Sequence, residues 1–277
     1  METNNITFGD YSKSFNQVVY NAIKPNSTCL DVGCSTGNLG LRLIEFKNCI
    51  VDGIDINSIA LKKAKEVGYK DTFKINLNSS LLDFTELNNK KYDCIIIADV
   101  LEHLMNPENI LANIKQYLSP KGVVVISLPN VAFIINRILL LLGKWDYREY
   151  GTLDKTHLKF YTIKSGQKIV KSCGFNIINV TPYNQFGILK RLGPLTNVFP
   201  SLFAYQFLVI AKVASPPPRG GGSLQISAFG GLKGTDNLRQ RTDQPLADNH
   251  PANRDGVSTA PARNANAFTA GGCGANL

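Results

Sequence analysis

Seven short apolar runs, each four to eight residues long, alternate with segments of helical period over the first 213 residues. This alternation is typical of an α/β fold, in which helices cover both faces of a mostly parallel sheet. We therefore predict seven strands in one sheet. The predicted strands are Thr28–Val32, Ile50–Ile54, Thr72–Ile75, Tyr92–Ala98, Val123–Leu128, Phe175–Thr181 and Gln206–Val213.

The segments between these strands have the apolar spacing of amphipathic helices. Asn57 and Thr162 are the predicted N-caps of two of them, and Gly68 and Gly174 follow two helix ends. Rossmann-like sheets of this kind bind ligands at the carboxyl ends of their strands, so the residues after each strand are the site candidates. The predicted helices are Ser14–Ile23, Asn38–Phe46, Ser58–Val67, Pro107–Tyr117, Val131–Leu142 and Ile163–Cys173.

The composition changes at Ser215. Residues 215–277 hold 10 of the 23 glycines, 6 of the 13 prolines and only 2 aromatic residues. Such a segment cannot bury enough apolar surface to offset the entropy of ordering it. We therefore predict one domain over residues 1–214 and a disordered Gly/Pro-rich tail over residues 215–277, whose composition also fits a non-native extension.

Charge and cysteine content narrow the class of protein. The net charge of +9 is spread over scattered lysines, and no basic run is interleaved with aromatic residues, which argues against a nucleic-acid partner. The six cysteines form no CxxC pair and no signal peptide follows Met1, so we predict a reduced, cytoplasmic protein. The apolar stretch of residues 131–143 is too short to span a membrane but could lie on a membrane surface.

A small-residue loop, LDVGCSTGNLG at residues 30–40, follows the first predicted strand and leads directly into a helix. Gly33 and Gly37 allow the backbone to approach a ligand closely, and the helix amino terminus offers free N–H groups. The second strand is followed by Asp55, 22 residues after Gly33, where a carboxylate can accept both hydroxyls of a ribose. Together these features predict an adenosine-containing cofactor.

The spacing of this loop is also found in short-chain NAD(P)-dependent oxidoreductases. That class requires a tyrosine and a lysine four residues apart on one helical face. Tyr117 and Lys121 have the spacing, but Pro120 and Gly122 would interrupt a helix there. An oxidoreductase is therefore the alternative prediction, and a non-catalytic binding module on the same fold is a second alternative.

The loop, GIDIN at residues 53–57 and YDCIIIADVLEHL at residues 92–104 together resemble class I S-adenosylmethionine-dependent methyltransferases. Ser35 stands where that family usually has a glycine, and Asn76 stands near the place of an acid that often faces the adenine. The resemblance implies S-adenosylmethionine as the cofactor. The residues that it assigns to cofactor binding are Asp31, Gly33, Cys34, Ser35, Gly37, Asp55, Ile56, Asn76 and Asp99.

Two later segments resemble one particular group of these methyltransferases. Residues 127–147, which begin SLPN, and residues 151–175, which contain LDKTHL, look like the methyltransferase type 11/23 group found among polysaccharide-biosynthesis enzymes. The resemblance runs from about Asp10 to Val213. It implies a saccharide or a related small metabolite as the methyl acceptor.

Two histidines and a glutamate are the candidates for catalysis. Glu102 and His103 follow the fourth predicted strand, and His157 lies in the LDKTHL segment. Methyl transfer to a hydroxyl requires a group that removes its proton, and histidine is the usual base. We predict O-methylation with His157, His103 and Glu102 as the catalytic residues.

The layout of Asp99, Glu102, His103 and a later histidine is also similar to that of metal-dependent O-methyltransferases, namely the ubiquinone-pathway and small-RNA 2'-hydroxyl enzymes. Asp99 replaces the glutamate of those enzymes. The resemblance implies Mg²⁺ or a related cation beside the acceptor oxygen. The sequence leaves the need for a metal open.

The apolar segment of residues 131–142 and the aromatic residues after it are expected to form a wall over the acceptor, which would also suit a lipid-linked saccharide. Three cations nearby could meet a phosphate or a sugar carboxylate: Arg137, Lys144 and Arg148. The aromatic residues are Trp145, Tyr147, Tyr150, Phe160 and Tyr161.

Overall fold

The computed structural model describes residues 15–80, 82–184 and 193–214. Its seven strands form one sheet in the order β3-β2-β1-β4-β5-β7-β6, which confirms the predicted fold class. The tail predicted for residues 215–277 lies outside the described residues. The strands are Thr28–Val32 (β1), Ile50–Asp55 (β2), Thr72–Lys74 (β3), Tyr92–Ala98 (β4), Leu118–Pro129 (β5), Phe175–Tyr183 (β6) and Gln206–Val213 (β7).

All neighbouring strands are parallel except β7, which runs antiparallel to both β5 and β6. Strand β5 begins five residues before its predicted start. The reason is Gly122, where a Cβ would lie 2.7 Å from the Tyr92 carbonyl oxygen. A glycine allows this close approach, and the register between β4 and β5 shifts at the same place.

Eight α-helices are described, and α2, α3, α4 and α6 pack on the two faces of the sheet. Leu43 of α2 and Ala64 of α3 belong to one hydrophobic cluster, while Ile110 of α4 and Val170 of α6 belong to the other. The helices are Gln17–Ala22 (α1), Asn38–Lys47 (α2), Ser58–Glu66 (α3), Pro107–Ile114 (α4), Ile134–Leu141 (α5), Ile163–Ser172 (α6), Gly193–Val198 (α7) and Pro200–Phe203 (α8).

The predicted helix ends are explained by side-chain caps. Asn57 accepts hydrogen bonds from the first turn of α3, and Thr162 forms a capping box with Ser165 at the start of α6. Helix α5 begins three residues later than predicted because the Asn130 side chain accepts the Ala132 N–H and holds that turn outside the helix. The short helices α7 and α8 were not predicted, since four to six residues give no measurable period.

Four residues at the carboxyl edge of the sheet have unusual backbone geometry. Gly33, Ser35 and Gly37 follow β1, and Asp99 follows β4, all with positive φ. Strands β1 and β4 are neighbours at the centre of the sheet, where the strand order reverses. In open α/β sheets this is the position of the ligand crevice.

Candidate functional site

Backbone hydrogen bonds join the loop after β1 to the end of β2. The N–H groups of Gly33 and Cys34 both donate to the carbonyl of Ile54, at 2.8 and 2.9 Å. A Cβ on Gly33 would lie 2.6 Å from a methyl group of Val100. Ser35 has a φ of +48°, a conformation that favours glycine, which is the residue usual at this position in the family that the chain resembles.

Asp55 joins this loop to helix α3. One carboxylate oxygen accepts the Ser35 N–H at 2.9 Å and the other accepts the Asn57 N–H at 2.8 Å. The carboxylate is buried at the carboxyl end of β2, beside the loop, as expected for a ribose ligand. The half-buried Ile56 follows it, and the exposed Asn76 lies beyond β3. Their contacts with a cofactor stay predictions.

Asp31 lies beneath the loop, and its hydrogen-bond partner was not predicted from the sequence. Its carboxylate accepts a hydrogen bond from the hydroxyl of Tyr69 at 2.7 Å. The same hydroxyl accepts the N–H of Gly40, so Tyr69 joins Asp31 to the first turn of α2. Burial raises the pKa of Asp31 from 3.8 to about 6, although the Tyr69 hydrogen bond opposes this rise. Burial also raises the pKa of the neighbouring Cys34 thiol.

Asp99 ends β4 with a φ of +54°. Its carboxylate accepts hydrogen bonds from the Ser127 hydroxyl at 2.8 Å and from the Gln206 amide at 3.0 Å. Burial raises its pKa, and the Ser127 hydrogen bond opposes the rise. Asp99 is thus bound to β5 and β7, and it is absent from the metal-ligating group that the structure brings together.

Glu102, His103 and His157 do meet at the carboxyl edge of the sheet. Each offers one ligand atom, and these atoms lie within 4.8 Å of one another. The centroids of the two imidazole rings are 4.9 Å apart. The sequence predicted that all three residues lie at one edge of the sheet. His103 and Thr156, the residue before His157, are 53 positions apart in the chain. Their placement together supports this prediction, and their catalytic role stays a prediction.

Two atoms of this group are buried and have no hydrogen-bond partner among the described residues: Glu102 Oε2 and His157 Nδ1. Glu102 is 1% exposed and His157 is 9% exposed. Burial, followed by the charge of Asp99, raises the pKa of Glu102 well above its usual range. Burial, followed by the charge of His103, lowers the pKa of His157 to about 4. Buried polar atoms in proteins are usually hydrogen-bonded, so these two atoms are available to a ligand.

The tautomer of His103 follows from its neighbours. Its Nδ1 lies 3.2 Å from the Thr156 carbonyl oxygen and 3.1 Å from the Thr156 hydroxyl. That hydroxyl donates its proton to Asp154 at 2.7 Å, so both Thr156 oxygens can only accept from Nδ1. Nδ1 therefore carries the proton and Nε2 keeps its lone pair. Asp154 and Thr156 belong to the LDKTHL segment, but neither was predicted to act at the site.

The expected aromatic wall is present beside the histidines. The Phe160 ring lies 6.2 Å from the His157 ring, 5.8 Å from Trp145 and 6.3 Å from Tyr147, measured between centroids. Tyr161 is instead buried behind the wall, where its backbone forms a bridge with Asn130. Six residues of the expected wall and its cations are exposed: Arg137, Lys144, Trp145, Tyr147, Arg148 and Tyr150.

The pair required for a short-chain oxidoreductase is not formed. Tyr117 ends a 3₁₀ turn, is buried and donates its hydroxyl proton to the Phe84 carbonyl at 3.0 Å. Lys121 lies on β5, at the start of the strand. The two residues are therefore at the amino edge of the sheet, opposite the crevice, and they cannot act on a ligand bound there.

Comparison with known proteins identifies the family of the chain. Residues 8–180 match a family described as a methyltransferase domain. The chain therefore belongs to the methyltransferase domain family. This confirms the resemblance to class I S-adenosylmethionine-dependent methyltransferases and supports S-adenosylmethionine as the methyl donor.

Relatives with curated names match over about a hundred residues. The ubiquinone biosynthesis O-methyltransferase of Rickettsia prowazekii is 32% identical over 103 residues, which are 36% of this chain and 39% of that protein. The protein of the same name from Pasteurella multocida is 36% identical over 111 residues, which are 36% of this chain and 46% of that protein. The chain thus spans less than half the length of the curated relatives it matches.

Solved structures match the whole described fold. A SAM dependent methyltransferase from Archaeoglobus fulgidus aligns with a TM-score of 0.51 and 18% identity, covering 74% of this chain and 97% of that chain. At this identity the likeness shows the fold, and the acceptor must be argued from the site.

Proposed function

We propose that the chain transfers the methyl group of S-adenosylmethionine to a hydroxyl oxygen of a saccharide or a related small metabolite. The observation that carries the proposal is the group of Glu102, His103 and His157, with two unpaired buried atoms, at the same sheet edge as the β1 loop. The β1 loop and Asp55 bind the cofactor, and the group of Glu102, His103 and His157 binds the acceptor.

The reaction is an in-line displacement at the methyl carbon. The acceptor oxygen forms a bond to this carbon as the carbon–sulfur bond breaks, and S-adenosylhomocysteine leaves. The hydroxyl proton passes to the Nε2 of His103, whose lone pair is directed by the hydrogen bonds of Nδ1. His157 packs edge-on against that ring and restricts its orientation.

The same residues fit a divalent cation. Glu102 Oε2 and the nitrogens of His103 and His157 would hold it, since carboxylate oxygens and neutral imidazoles are common metal ligands. A bound cation would supply Lewis-acid stabilisation of the developing alkoxide. The lowered pKa of His157 keeps its imidazole neutral at pH 7, which is the form that binds metals.

The acceptor class rests on the wall around Phe160. Its rings can pack on the apolar face of a sugar, which supports the saccharide. A second candidate is an aromatic hydroxyl, because the curated relatives are named ubiquinone biosynthesis O-methyltransferases. We place the reaction in the cytoplasm, because the described cysteines are all free thiols, as in a reducing compartment.

The test of the acceptor site is the His157→Ala variant. His157 lies outside the β1 loop, so we expect S-adenosylmethionine affinity within about twofold of wild type. Turnover should fall by about 100-fold, because the base His103 loses the ring that restricts its orientation and misplacement of a reacting group can cost this much. Binding is measured by calorimetry and turnover by release of S-adenosylhomocysteine with an acyclic polyol, a sugar or a catechol as acceptor. Lost cofactor binding would instead make His157 a structural residue.

Chelation distinguishes a site that requires a divalent cation from a site that uses a histidine base alone. If a cation is required, dialysis against a chelator abolishes turnover and Mg²⁺ restores it, while cofactor affinity stays unchanged. Turnover that is unaffected by the chelator would eliminate the cation and leave the histidine base.

A further inference from the structure

Helix α5 and the segment after it carry an unusual amount of exposed apolar surface. Of the 18 large apolar side chains exposed in the described residues, nine lie between residues 135 and 158. Leu141 is 87% exposed and Leu142 is 66% exposed. Monomeric soluble proteins rarely present such patches unless they bind a partner or a membrane. We call residues 134–150 the α5 segment.

The α5 segment projects from the domain. Asn136 is the one residue of α5 that is buried, and its amide donates to the Val131 carbonyl and to the Thr152 hydroxyl. Apolar side chains occur on every other side of the helix. An eight-residue helix is about 12 Å long, so α5 cannot cross a bilayer. None of the described helices is long and apolar enough to do so.

The residues around the leucines are those that favour a membrane interface. Trp145, Tyr147 and Tyr150 follow the helix, and such amphipathic rings concentrate at the level of the lipid headgroups. Arg137 and Lys144 are exposed and form no ion pair with another described residue. With Arg148, these cations outnumber the two acids of the α5 segment, Asp146 and Glu149, and Glu149 pairs with Lys155. This excess of positive charge complements an anionic bilayer surface.

The α5 segment is continuous with the candidate site. Trp145 and Tyr147 both contact Phe160, and Phe160 contacts His157. A molecule bound against these rings would therefore have one end at the histidines and the other at the exposed apolar surface.

We propose that the α5 segment inserts into the interface of an anionic phospholipid bilayer and that the methyl acceptor is an amphiphile presented from that bilayer. The leucines of α5 enter the boundary between headgroups and acyl chains, which accepts an apolar helix to a depth of about 5–10 Å. The acceptor class rests on the proposed function, whereas the membrane surface does not.

A second copy of the chain is a poorer occupant for this surface. A dimer through a short helix would bury one apolar stripe and leave the others in water. Exposed leucines occur on more than one side of α5, so a two-fold contact along one stripe would leave some of them in water. A lipid interface surrounds the tip of the helix and covers the apolar side chains on all of its sides.

The experiment is sedimentation of the full chain with vesicles of phosphatidylcholine alone and with vesicles that contain 30% phosphatidylglycerol, on the order of the anionic content that gives a strong surface potential. We expect binding to the anionic vesicles that weakens at high salt. The Leu141→Gln/Leu142→Gln variant should bind them at least about tenfold more weakly, because two leucines lose their place in the apolar layer. Both side chains are exposed, so the fold is retained.

The matched control is Phe46→Gln/Ile178→Gln, which removes two exposed apolar side chains elsewhere and should leave vesicle binding unchanged. Absence of vesicle binding by the wild type would overturn the proposal, as would equal binding by the leucine variant. A wild-type dimer that the leucine variant converts to a monomer would assign the surface to a second copy. Vesicle binding is read without turnover, so its failure leaves the proposed function standing.

Discussion

Asp31 is a buried residue whose negative charge lowers the stability of the fold. Its carboxylate is 4% exposed, and the one hydrogen bond that the structure assigns to its side chain comes from Tyr69. Burial raises its pKa from 3.8 to about 6, so the folded protein holds the proton of Asp31 more tightly than the unfolded chain. The contribution of Asp31 to stability is therefore complete below pH 4 and is lost as the pH rises through 6.

We expect Asp31→Asn to gain stability relative to wild type between pH 4 and pH 7, by up to about 3 kcal/mol, because each tenfold change in proton affinity corresponds to about 1.4 kcal/mol. An asparagine carries no charge, and its oxygen can still accept from Tyr69. Urea unfolding at pH 4, 5, 6 and 7 measures this difference. The variant should also bind S-adenosylmethionine more weakly if Asp31 faces the cofactor. A stability difference that does not change with pH would show that the carboxylate is ionised without penalty.

The two histidines and Glu102 could be predicted because each follows or faces a strand end, and parallel strands bring their carboxyl ends to one edge. Tyr69 could not be predicted. It lies 38 residues from Asp31, and its hydrogen bond depends on how α2 and α3 pack on the sheet. The unpaired state of Glu102 Oε2 also depends on packing, which no local pattern records.

At the scale of elements, α2 lies close to the sheet because glycines leave room for Tyr69. The ring would overlap a Cβ on Gly40, and it lies 2.8 Å from the position of a Cβ on Gly37 or Gly53. Gly40, the third glycine of the LDVGCSTGNLG segment, is thus required by the packing of an aromatic ring. Strands β1, β4 and β7 have their predicted bounds, because turn residues flank their apolar runs. The extension of β5 depends on contacts with its neighbour and was not predictable.

Gly40→Ala should destabilise the protein by about 1–3 kcal/mol, since the added methyl group overpacks the core against Tyr69. The expected sign is unusual, because alanine normally stabilises a helix interior relative to glycine by about 1 kcal/mol. Thermal and urea unfolding measure the change. In the Tyr69→Ala background the same substitution should become neutral or stabilising. A stabilising effect in the wild-type background would mean that Tyr69 does not occupy this space.

At the scale of the whole molecule, the last strand of the described domain lies inside the sheet. Strand β7 is paired on both sides and ends at Val213. We expect deletion of residues 215–277 to leave the free energy of unfolding and the cofactor affinity unchanged, because that segment has few apolar side chains to bury. Urea unfolding and calorimetry of the shortened chain test this. A loss of more than about 1 kcal/mol, which exceeds the effect of a typical surface change, would show that the segment packs on the domain.

The central claim is that the crevice at the carboxyl ends of β1, β2 and β4 binds S-adenosylmethionine. The most direct measurement is calorimetric titration of the protein with S-adenosylmethionine and, separately, with NAD. We predict one-to-one binding of S-adenosylmethionine and no binding of NAD, because the crevice has the methyltransferase loop and lacks the tyrosine–lysine pair of an oxidoreductase. Binding of NAD without binding of S-adenosylmethionine would contradict the claim.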